Sequence, residues 1–356
     1  MLAPAAAQGT GLGMTAATAI DAGRLQEWMR GAVPGFRGPL SVEPMSGGQS
    51  NPTYRLAAPS GRYVLRRKPP GKLLPSAHAV DREFRVMKAL YGSAVPVPRM
   101  LALCTDDSVV GTMFYVMDHV DGRVLYDPRL PEQSPAERAA MFDDMNRVIA
   151  ALHQVDPATV GLGDYGRPGN YFTRQFTRWS QQYRASETET IESMDKLIEW
   201  LPRHIPAGDE TAIVHGDYRM DNLIFHPTEP RVVAVVDWEL STLGHPLGDF
   251  AYHVMTWRFT PELFRGLAGA DLRALGIPEE QAYIDVYCRR TGRAGIDHWD
   301  FYMAFVMFRM AAIFQGIMGR VRDGTATDAR AREAGAKARP VAELAWRQVE
   351  RMRRAA

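Results

Sequence analysis

The chain has 356 residues and a formal net charge of +1 at pH 7, from 42 Lys and Arg against 41 Asp and Glu. A chain of this length can bury a sizeable core, and we expect it to form two lobes. A net charge this close to zero argues against a general affinity for nucleic acid or for an acidic membrane surface. The two cysteines, Cys104 and Cys288, have no spacing partner, which favours buried small side chains in a reducing, cytoplasmic compartment over a metal motif or a disulfide framework.

Residues 1–20 are rich in Ala, Gly and Thr and lack both a basic region and a continuous apolar region. We therefore interpret them as a flexible tail and not as a signal peptide, with Met14 as a second candidate start. The longest apolar stretch, 301–318, is interrupted by Arg309 and preceded by acidic residues. This pattern favours a buried helix over a membrane span.

The region 21–117 is predicted to form an N-terminal lobe, beginning with a short helix near Leu25 to Met29. A glycine-rich turn follows, which permits a tight hairpin whose backbone N–H groups can approach phosphates. The turn consists of Gly47, Gly48, Gln49 and Ser50. A plain hairpin without a ligand is the alternative, and the turn is not a Walker A loop because no Gly-Lys-Ser/Thr follows it.

Arg66 and Lys68 lie on one face of the next predicted strand. Helical spacing of apolar residues predicts a helix over 76–90 that carries Glu83. The alternatives are a solvated basic run at 66–68 and an exposed helical Glu83. The stretch 109–117 then predicts a hairpin, and the polar turn Asp118 to Gly122 follows it.

The region 123–356 is predicted to be mainly helical. Ser134-Pro135-Ala136-Glu137 is a capping box that predicts a helix to about Val155, and a similar pattern at 186–189 predicts another through Leu201. The string at 161–166 matches Gly-x-Gly-x-x-Gly, but no strand precedes it and Pro168-Gly169 follows, so we interpret it as a surface loop. Further helices are predicted over 278–292, 297–320 and 327–354, the last broken at Pro340.

Residues 213–239 combine chemically active side chains with clear strand signals. A β-branched run, 232–236, predicts a buried strand, and a turn with two prolines precedes it. Asp217, Asn222 and Asp237 fall at predicted strand edges. A carboxylate, an amide and a second carboxylate there suit a base and two oxygen ligands for a hard cation such as Mg2+. The alternative is a β-hairpin with polar residues on its surface.

The pattern His215-Gly216-Asp217, then Asn222, then Asp237 resembles the catalytic core of the aminoglycoside phosphotransferase and choline kinase family. In that family His-Gly-Asp is followed after four residues by Asn, and an Asp ends the next strand. Residue type, order, spacing and strand context all agree with the family pattern.

The resemblance implies an α+β, bilobal protein-kinase-like fold. It implies a small β-rich nucleotide-binding lobe over 21–117, a hinge at 118–122, and a larger, mainly helical catalytic and acceptor-binding lobe over 123–356. It also implies ATP and Mg2+ as cofactors, and phosphoryl transfer as the reaction.

The resemblance further implies roles for individual residues. Asp217 would be the catalytic base, and Asn222 and Asp237 would bind Mg2+. The nucleotide would be bound by the turn Gly47, Gly48, Gln49 and Ser50, by Arg66 with Glu83 as its acidic partner, and by Asp118 and Val120 of the hinge. Lys68 is the alternative to Arg66 as the phosphate contact. His215, Glu239 and Asp249 would be supporting residues, Asp249 because Gly244-x-Pro246-x-x-Asp249 is similar to a family segment that braces the catalytic loop.

The sequence from about residue 40 onward is similar to one branch of the family, the kinase-like domain fused to acyl-CoA dehydrogenases. The similarity lies in 47–53, 66–78 and Asp237-Trp238-Glu239, and it implies a small-molecule acceptor such as a hydroxyacyl-CoA or a hydroxy acid. From Phe250 onward there are 17 Lys and Arg against 12 Asp and Glu, which favours an anionic acceptor. A solvated basic surface, an aminoglycoside or amino-alcohol kinase, and a non-catalytic nucleotide-binding pseudokinase are the alternatives.

Overall fold

The structure is a computed structural model that describes residues 20–45, 51–70, 79–326 and 328–355. The chain divides into two compact units. The first contains the described residues up to Arg85 together with Arg99–His119, and the second contains Val86–Pro98 and the residues from Val120 onward. The first unit is built on a sheet and the second is mainly helical, so the α+β class predicted from the sequence is confirmed.

The first unit is an antiparallel five-stranded sheet in the order β1-β2-β3-β5-β4. Its strands are β1 Ser41–Pro44, β2 Thr53–Ala58, β3 Gly61–Arg67, β4 Met100–Cys104 and β5 Phe114–Asp118. Its helices are α1 Ala22–Ala32, the beginning of α2 Val80–Leu90, and the short α3 Asp107–Val110. Alternate residues of β2 and β3 are buried in one apolar cluster together with Leu25 and Met29 of α1, which accounts for the predicted helix near those residues.

The hairpin predicted over 109–117 is wrong. Asp106 accepts a hydrogen bond from the backbone N–H of Ser108 at 2.9 Å and caps the short helix α3, which Gly111 ends with φ 88°. Of that stretch only 114–117 forms a strand, as part of β5, because a capped helical turn competes locally with strand pairing.

The second unit holds the remaining helices and two small sheets. The helices are α4 Pro135–His153, α5 Tyr171–Ser186, α6 Glu192–Trp200, α7 Pro246–Val254, α8 Pro261–Phe264, α9 Leu272–Leu275, α10 Glu280–Thr291, α11 Trp299–Arg322, α12 Ala331–Gly335 and α13 Ala338–Ala355. The strands are β6 Arg123–Val124, β7 Ala212–Val214, β8 Leu223–Phe225, β9 Val232–Val235 and β10 Thr242–Gly244, which form the sheets β6-β8-β9 and β10-β7. The turn residues at 161–166 lie outside these elements, as predicted.

Two helix starts test the capping predictions. The box at Ser134 is present, with Ser134 accepting from the N–H of Glu137 and Glu137 bonding back to Ser134. The pattern at 186–189 is wrong as a start, because Ser186 is the last residue of α5 and donates its hydroxyl to the Gln182 carbonyl. Its side chain is therefore used inside one helix and does not cap α6.

Helix α11 is the central helix of the second unit and packs against α5, α7 and α13. Among the described residues it is the one helix long and apolar enough to cross a membrane by length and composition, yet 83% of its most apolar 18-residue window is buried inside the protein. The predicted buried helix is therefore present. The predicted break near Pro340 falls between α12 and α13, with Pro340 in the first turn of α13, where a missing N–H is tolerated.

Candidate active site

The hairpin β8–β9 brings Asn222 and Asp237 to the same edge. Leu223 pairs with Val235, and Val236 donates its backbone N–H to the Asn222 carbonyl at 3.0 Å. Asp237 follows with φ 66°, in the left-handed region. A non-glycine residue held there is uncommon, and such residues cluster at functional sites.

Asn222 also contacts Asp217. Its Nδ2 donates to the Asp217 carbonyl at 2.9 Å and to Oδ2 of the Asp217 carboxylate at 3.0 Å. Both hydrogen bonds recorded for this side chain within the described residues use the nitrogen, so Oδ1 is left for another partner. An amide oxygen beside the Asp237 carboxylate is a donor set that suits Mg2+, which takes its other ligands from water and substrate phosphates. In the described part of the chain no group of three or more His, Cys, Asp or Glu is arranged to hold a metal ion.

The carboxylate of Asp217 accepts two side-chain hydrogen bonds and forms one ion pair. Oδ1 accepts from the Tyr252 hydroxyl at 2.6 Å and lies 3.2 Å from Nε of Arg219, while Oδ2 accepts from Asn222. The Asp217 side chain is 17% exposed. Arg219 also lies 3.4 Å from Asp221, and Arg265 forms an ion pair with the same Asp221. The region therefore contains alternating charges that largely neutralise one another.

Asp249 fixes the backbone of the His-Gly-Asp segment. Its two oxygens accept the N–H groups of His215 and Gly216, each at 2.8 Å, and His153 donates to Oδ2 at 3.3 Å. Burial would raise the pKa of Asp249, but the hydrogen bond and electrostatic interaction with His153, together with the interactions with His215, outweigh it and lower the pKa below its ordinary value. Asp249 therefore stays a carboxylate and braces the loop.

Gly216 and His215 show why the segment needs these residue types. Gly216 has φ 82°, and a Cβ there would lie 2.7 Å from the Leu240 carbonyl oxygen, so only glycine fits without a shift. The buried His215 ring bonds to the Val236 carbonyl through Nε2 at 3.0 Å and accepts the Asp217 N–H at Nδ1 at 3.2 Å. Both ring nitrogens are used, which supports a structural role for His215.

In the first unit, Glu83 and Arg66 form an ion pair with Nε and Oε2 3.2 Å apart. Glu83 is fully buried and also accepts from Nδ2 of Asn51 at 3.0 Å and from the Tyr115 hydroxyl at 3.2 Å. Lys68 instead lies 3.8 Å from the half-exposed Asp81. Of the two basic candidates, Arg66 is the one paired with Glu83.

The remaining predicted site residues are spread along the chain. Gly47, Gly48, Gln49 and Ser50 lie outside the described residues. Asp118 ends β5, where burial raises its pKa, and Val120 is the first residue of the second unit after the first ends at His119. Glu239 lies in the short 3-10 turn Trp238–Leu240. The roles of these residues, like those of the others, stay predictions.

Three residues in contact with the Asp217 loop escaped the sequence analysis: Arg219, Tyr252 and Arg309. Tyr252 follows Asp249 by three residues, and this spacing places both on one face of α7. Arg309 was noted as a break in an apolar stretch; a buried cation within an apolar helix is itself a functional signal. Arg309 donates to the Gly216 carbonyl at 2.7 Å.

The comparison with protein families identifies the family of this chain. Residues 41–284 match the model described as Phosphotransferase enzyme family, APH. The chain belongs to this family. The recognition made from His215, Asp217, Asn222 and Asp237 is thereby confirmed.

Individual relatives agree with this assignment. Mouse acyl-CoA dehydrogenase family member 10 is 46% identical over 332 residues, which are 92% of this chain and 31% of that protein. The chain thus spans about a third of that relative's length, and the predicted branch is confirmed. The crystal structure of an aminoglycoside phosphotransferase-type protein from Ralstonia eutropha JMP134 is 58% identical, has a TM-score of 0.87, and is covered over 99% of its length by 94% of this chain.

A more distant neighbour shows the fold alone. A thermostable variant of aminoglycoside phosphotransferase APH(4)-Ia, solved in ternary complex with ADP and hygromycin B, has a TM-score of 0.59 at 14% identity over 91% of this chain and 97% of that one. The protein-kinase-like fold predicted from the sequence is confirmed.

Proposed function

We propose that this chain is an ATP- and Mg2+-dependent phosphotransferase that acts on the hydroxyl of a small molecule. The observation that carries the proposal is the position of Asn222, which bonds to Asp217 through its nitrogen and lies beside Asp237 on the β8–β9 hairpin. One amide thereby connects a candidate base to a candidate cation site. Membership of the phosphotransferase family supports the same reaction.

The residues present fit a magnesium ion. Oδ1 of Asn222 and the carboxylate of Asp237 would hold it, and the ion would neutralise charge on the nucleotide phosphates. Arg66, oriented by Glu83, would contact the α- and β-phosphates bidentately, as a guanidinium does. This division of labour matches a reaction in which positioning and charge neutralisation supply most of the catalysis.

Asp217 would accept a hydrogen bond from the acceptor hydroxyl and orient it in line with the γ-phosphorus. As the new oxygen–phosphorus bond forms and the bond to the leaving ADP breaks, the hydroxyl proton passes to the Asp217 carboxylate. Asp249 and His215 would contribute by holding the loop that carries Asp217.

The charges of the second unit favour an anionic acceptor. Arg174, Arg178 and Arg309 have no ion pair with an acid among the described residues. Arg178 and Arg309 lie 5.3 and 5.4 Å from the Trp179 ring centroid, and Arg309 reaches the Gly216 carbonyl. Arginines that have no acidic ion-pair partner can attract a negatively charged substrate. Together with relatives named for acyl-CoA dehydrogenation, this supports a hydroxyacyl-CoA or hydroxy acid as the acceptor.

A phosphate-transfer screen tests the proposal. Purified protein, ATP and MgCl2 are incubated with hydroxyacyl-CoAs, hydroxy acids, amino alcohols and aminoglycosides, and the phosphorylated product is identified by phosphorus NMR and mass spectrometry. We expect a phosphate ester of a hydroxyacyl-CoA or hydroxy acid. Transfer only to cationic acceptors would overturn the anionic assignment while leaving the reaction intact.

The second candidate is an aminoglycoside or amino-alcohol kinase, favoured by the neighbour that was solved with hygromycin B. The same screen separates the two, because its cationic and anionic arms give opposite results. Binding of Mg–ATP without transfer to any acceptor would favour a non-catalytic nucleotide-binding module.

A further inference from the structure

We propose that Tyr252 and Arg309 are positioning residues that orient the Asp217 carboxylate so that its two oxygens have different roles. In this arrangement Oδ1 is held by the protein and Oδ2 receives the acceptor hydroxyl. The inference rests on the proposed phosphotransferase function and adds two residues from α7 and α11 to the site.

The hydrogen bonds of Asp217 assign the oxygens. A carboxylate has about four acceptor positions, two on each oxygen. Oδ1 accepts the Tyr252 hydroxyl at 2.6 Å and lies 3.2 Å from the positively charged Nε of Arg219, whereas Oδ2 accepts the neutral amide of Asn222 at 3.0 Å. Because a cation and a hydroxyl donor both face Oδ1, while a single neutral amide faces Oδ2, we assign the substrate hydroxyl to Oδ2.

Tyr252 is a fixed donor. It is 4% exposed, and burial, followed by the negative charge of Asp217, raises its pKa above the ordinary value, so it keeps its proton. It lies three residues after Asp249 on α7. The same face of α7 thus holds the loop backbone through Asp249 and the side chain of Asp217 through Tyr252.

Arg309 holds both Tyr252 and the loop. Its guanidinium lies 4.9 Å from the Tyr252 ring centroid, and Nη2 donates to the Gly216 carbonyl at 2.7 Å. Since Asp249 accepts the Gly216 N–H, both backbone polar groups of Gly216 are fixed. Arg309 is 6% exposed and makes no ion pair with an acid in the described part of the chain. Burying a cation without a counter-charge is destabilising. We therefore interpret the contacts with Tyr252 and Gly216 as the reason for an arginine at this position.

The substitution Tyr252→Phe removes only the hydroxyl. We expect kcat to fall roughly ten- to a hundredfold, the worth of a hydrogen bond to a charged group, with KM for Mg–ATP and for the acceptor within about twofold. Tyr283→Phe is the matched control, because Tyr283 is equally buried and bonds to His253 at 2.8 Å without touching Asp217. An unchanged kcat in Tyr252→Phe, an equal loss in Tyr283→Phe, or a change confined to KM overturns the inference.

Arg309 is tested by rescue. Arg309→Gln is expected to lower kcat about tenfold, and Arg309→Lys, which keeps a donor and the cation–aromatic contact, to recover most of it. Arg138→Gln is the control, since Arg138 is 8% exposed and its hydrogen bonds within the described residues go to backbone carbonyls away from the site. Equal losses in Arg309→Lys and Arg309→Gln, or a loss of kcat in Arg138→Gln that matches that of Arg309→Gln, would count against a positioning role.

A wild-type protein that transfers no phosphate would contradict the proposed function and not this inference. Crystal structures of the wild type, Tyr252→Phe and Tyr283→Phe then decide. A rotated Asp217 carboxylate in Tyr252→Phe alone supports the positioning role, and the same carboxylate orientation in all three overturns it.

Discussion

In the first unit the carboxylate of Glu83 is held by side chains, among them those of Arg66, Asn51 and Tyr115. In the second unit the carboxylate of Asp249 accepts two backbone N–H groups and bonds to the imidazole of His153. Glu83 lies on a helix and its partner Arg66 lies on a strand, so regular structure already places both. The His215–Asp217 segment is a loop. The backbone of a loop must be fixed by contacts with other elements before its side chains can keep one orientation. The comparison shows that the two buried acids solve different problems, orientation of a cation in one unit and immobilisation of a chain segment in the other.

The largest effect on kcat is expected at Asp217, the residue whose carboxylate the His215–Asp217 loop positions. Asp217→Asn removes the proton acceptor while keeping the side chain's shape, so we expect kcat to fall by about 10^3 with the dissociation constant for Mg–ATP within threefold. Steady-state assays and isothermal titration measure the two quantities. Turnover close to the wild type would remove Asp217 from the role of base.

Asp237 tests whether the second unit holds the cation. Asp237→Ala is expected to abolish the part of nucleotide affinity that depends on Mg2+, since one of two protein ligands is lost. Titration of ATP with 5 to 10 equivalents of MgCl2 or with EDTA, roughly bracketing saturation, gives the difference. Asp285→Ala, which removes an exposed carboxylate on α10, should keep the full difference, and retention of it in Asp237→Ala would contradict the assignment.

Asp249→Asn tests the backbone brace directly. An amide can accept from one of the two N–H groups but presents its own nitrogen to the other, so a buried donor is left unsatisfied. We expect the free energy of unfolding to fall by about 2–4 kcal/mol, with a lower kcat. Urea unfolding measures the first, and a stability equal to the wild type would show that the loop is held elsewhere.

Glu83→Gln should have the smallest effect, because Arg66 remains on its strand. Loss of the negative charge leaves the guanidinium free to turn, and we expect KM for Mg–ATP to rise about tenfold while the free energy of unfolding changes less than in Asp249→Asn. Asp81→Asn is the control, since its pair with Lys68 is longer and half-exposed. Equal changes in both variants would mean that pairing with Glu83 does not orient Arg66.

The sequence predicted those parts of the site that are local. Asp217, Asn222 and Asp237 fall within 21 residues of one another, so strand signals between them place all three. Glu83 was predicted by resemblance as the partner of Arg66, and the pair is present. The α4 capping box, whose partners are three residues apart, was likewise predictable.

Contacts between distant elements were not predictable. Tyr252 and Arg309 meet Asp217 and Gly216 only after α7 and α11 pack, and no spacing in the chain encodes that packing. Helix α5 was missed because its sequence, YFTRQFTRWSQQYRAS, mixes arginine with aromatic residues, and its buried side recurs only at Tyr171, Phe172, Trp179 and Tyr183. The false capping pattern at Ser186 followed from that miss.

The residues that support the His215–Asp217 loop come from three different helices: Asp249 and Arg309 bond to the loop backbone, and His153 bonds to Asp249. Asp249 belongs to α7, His153 ends α4, and Arg309 lies in the middle of α11. The loop is thus held rigid by helices that run through the core of the second unit. The packing of these helices therefore supports both the orientation of Asp217 and the thermal stability of the unit. A substitution that opens a cavity between them, far from any substrate, should lower kcat before it unfolds the protein.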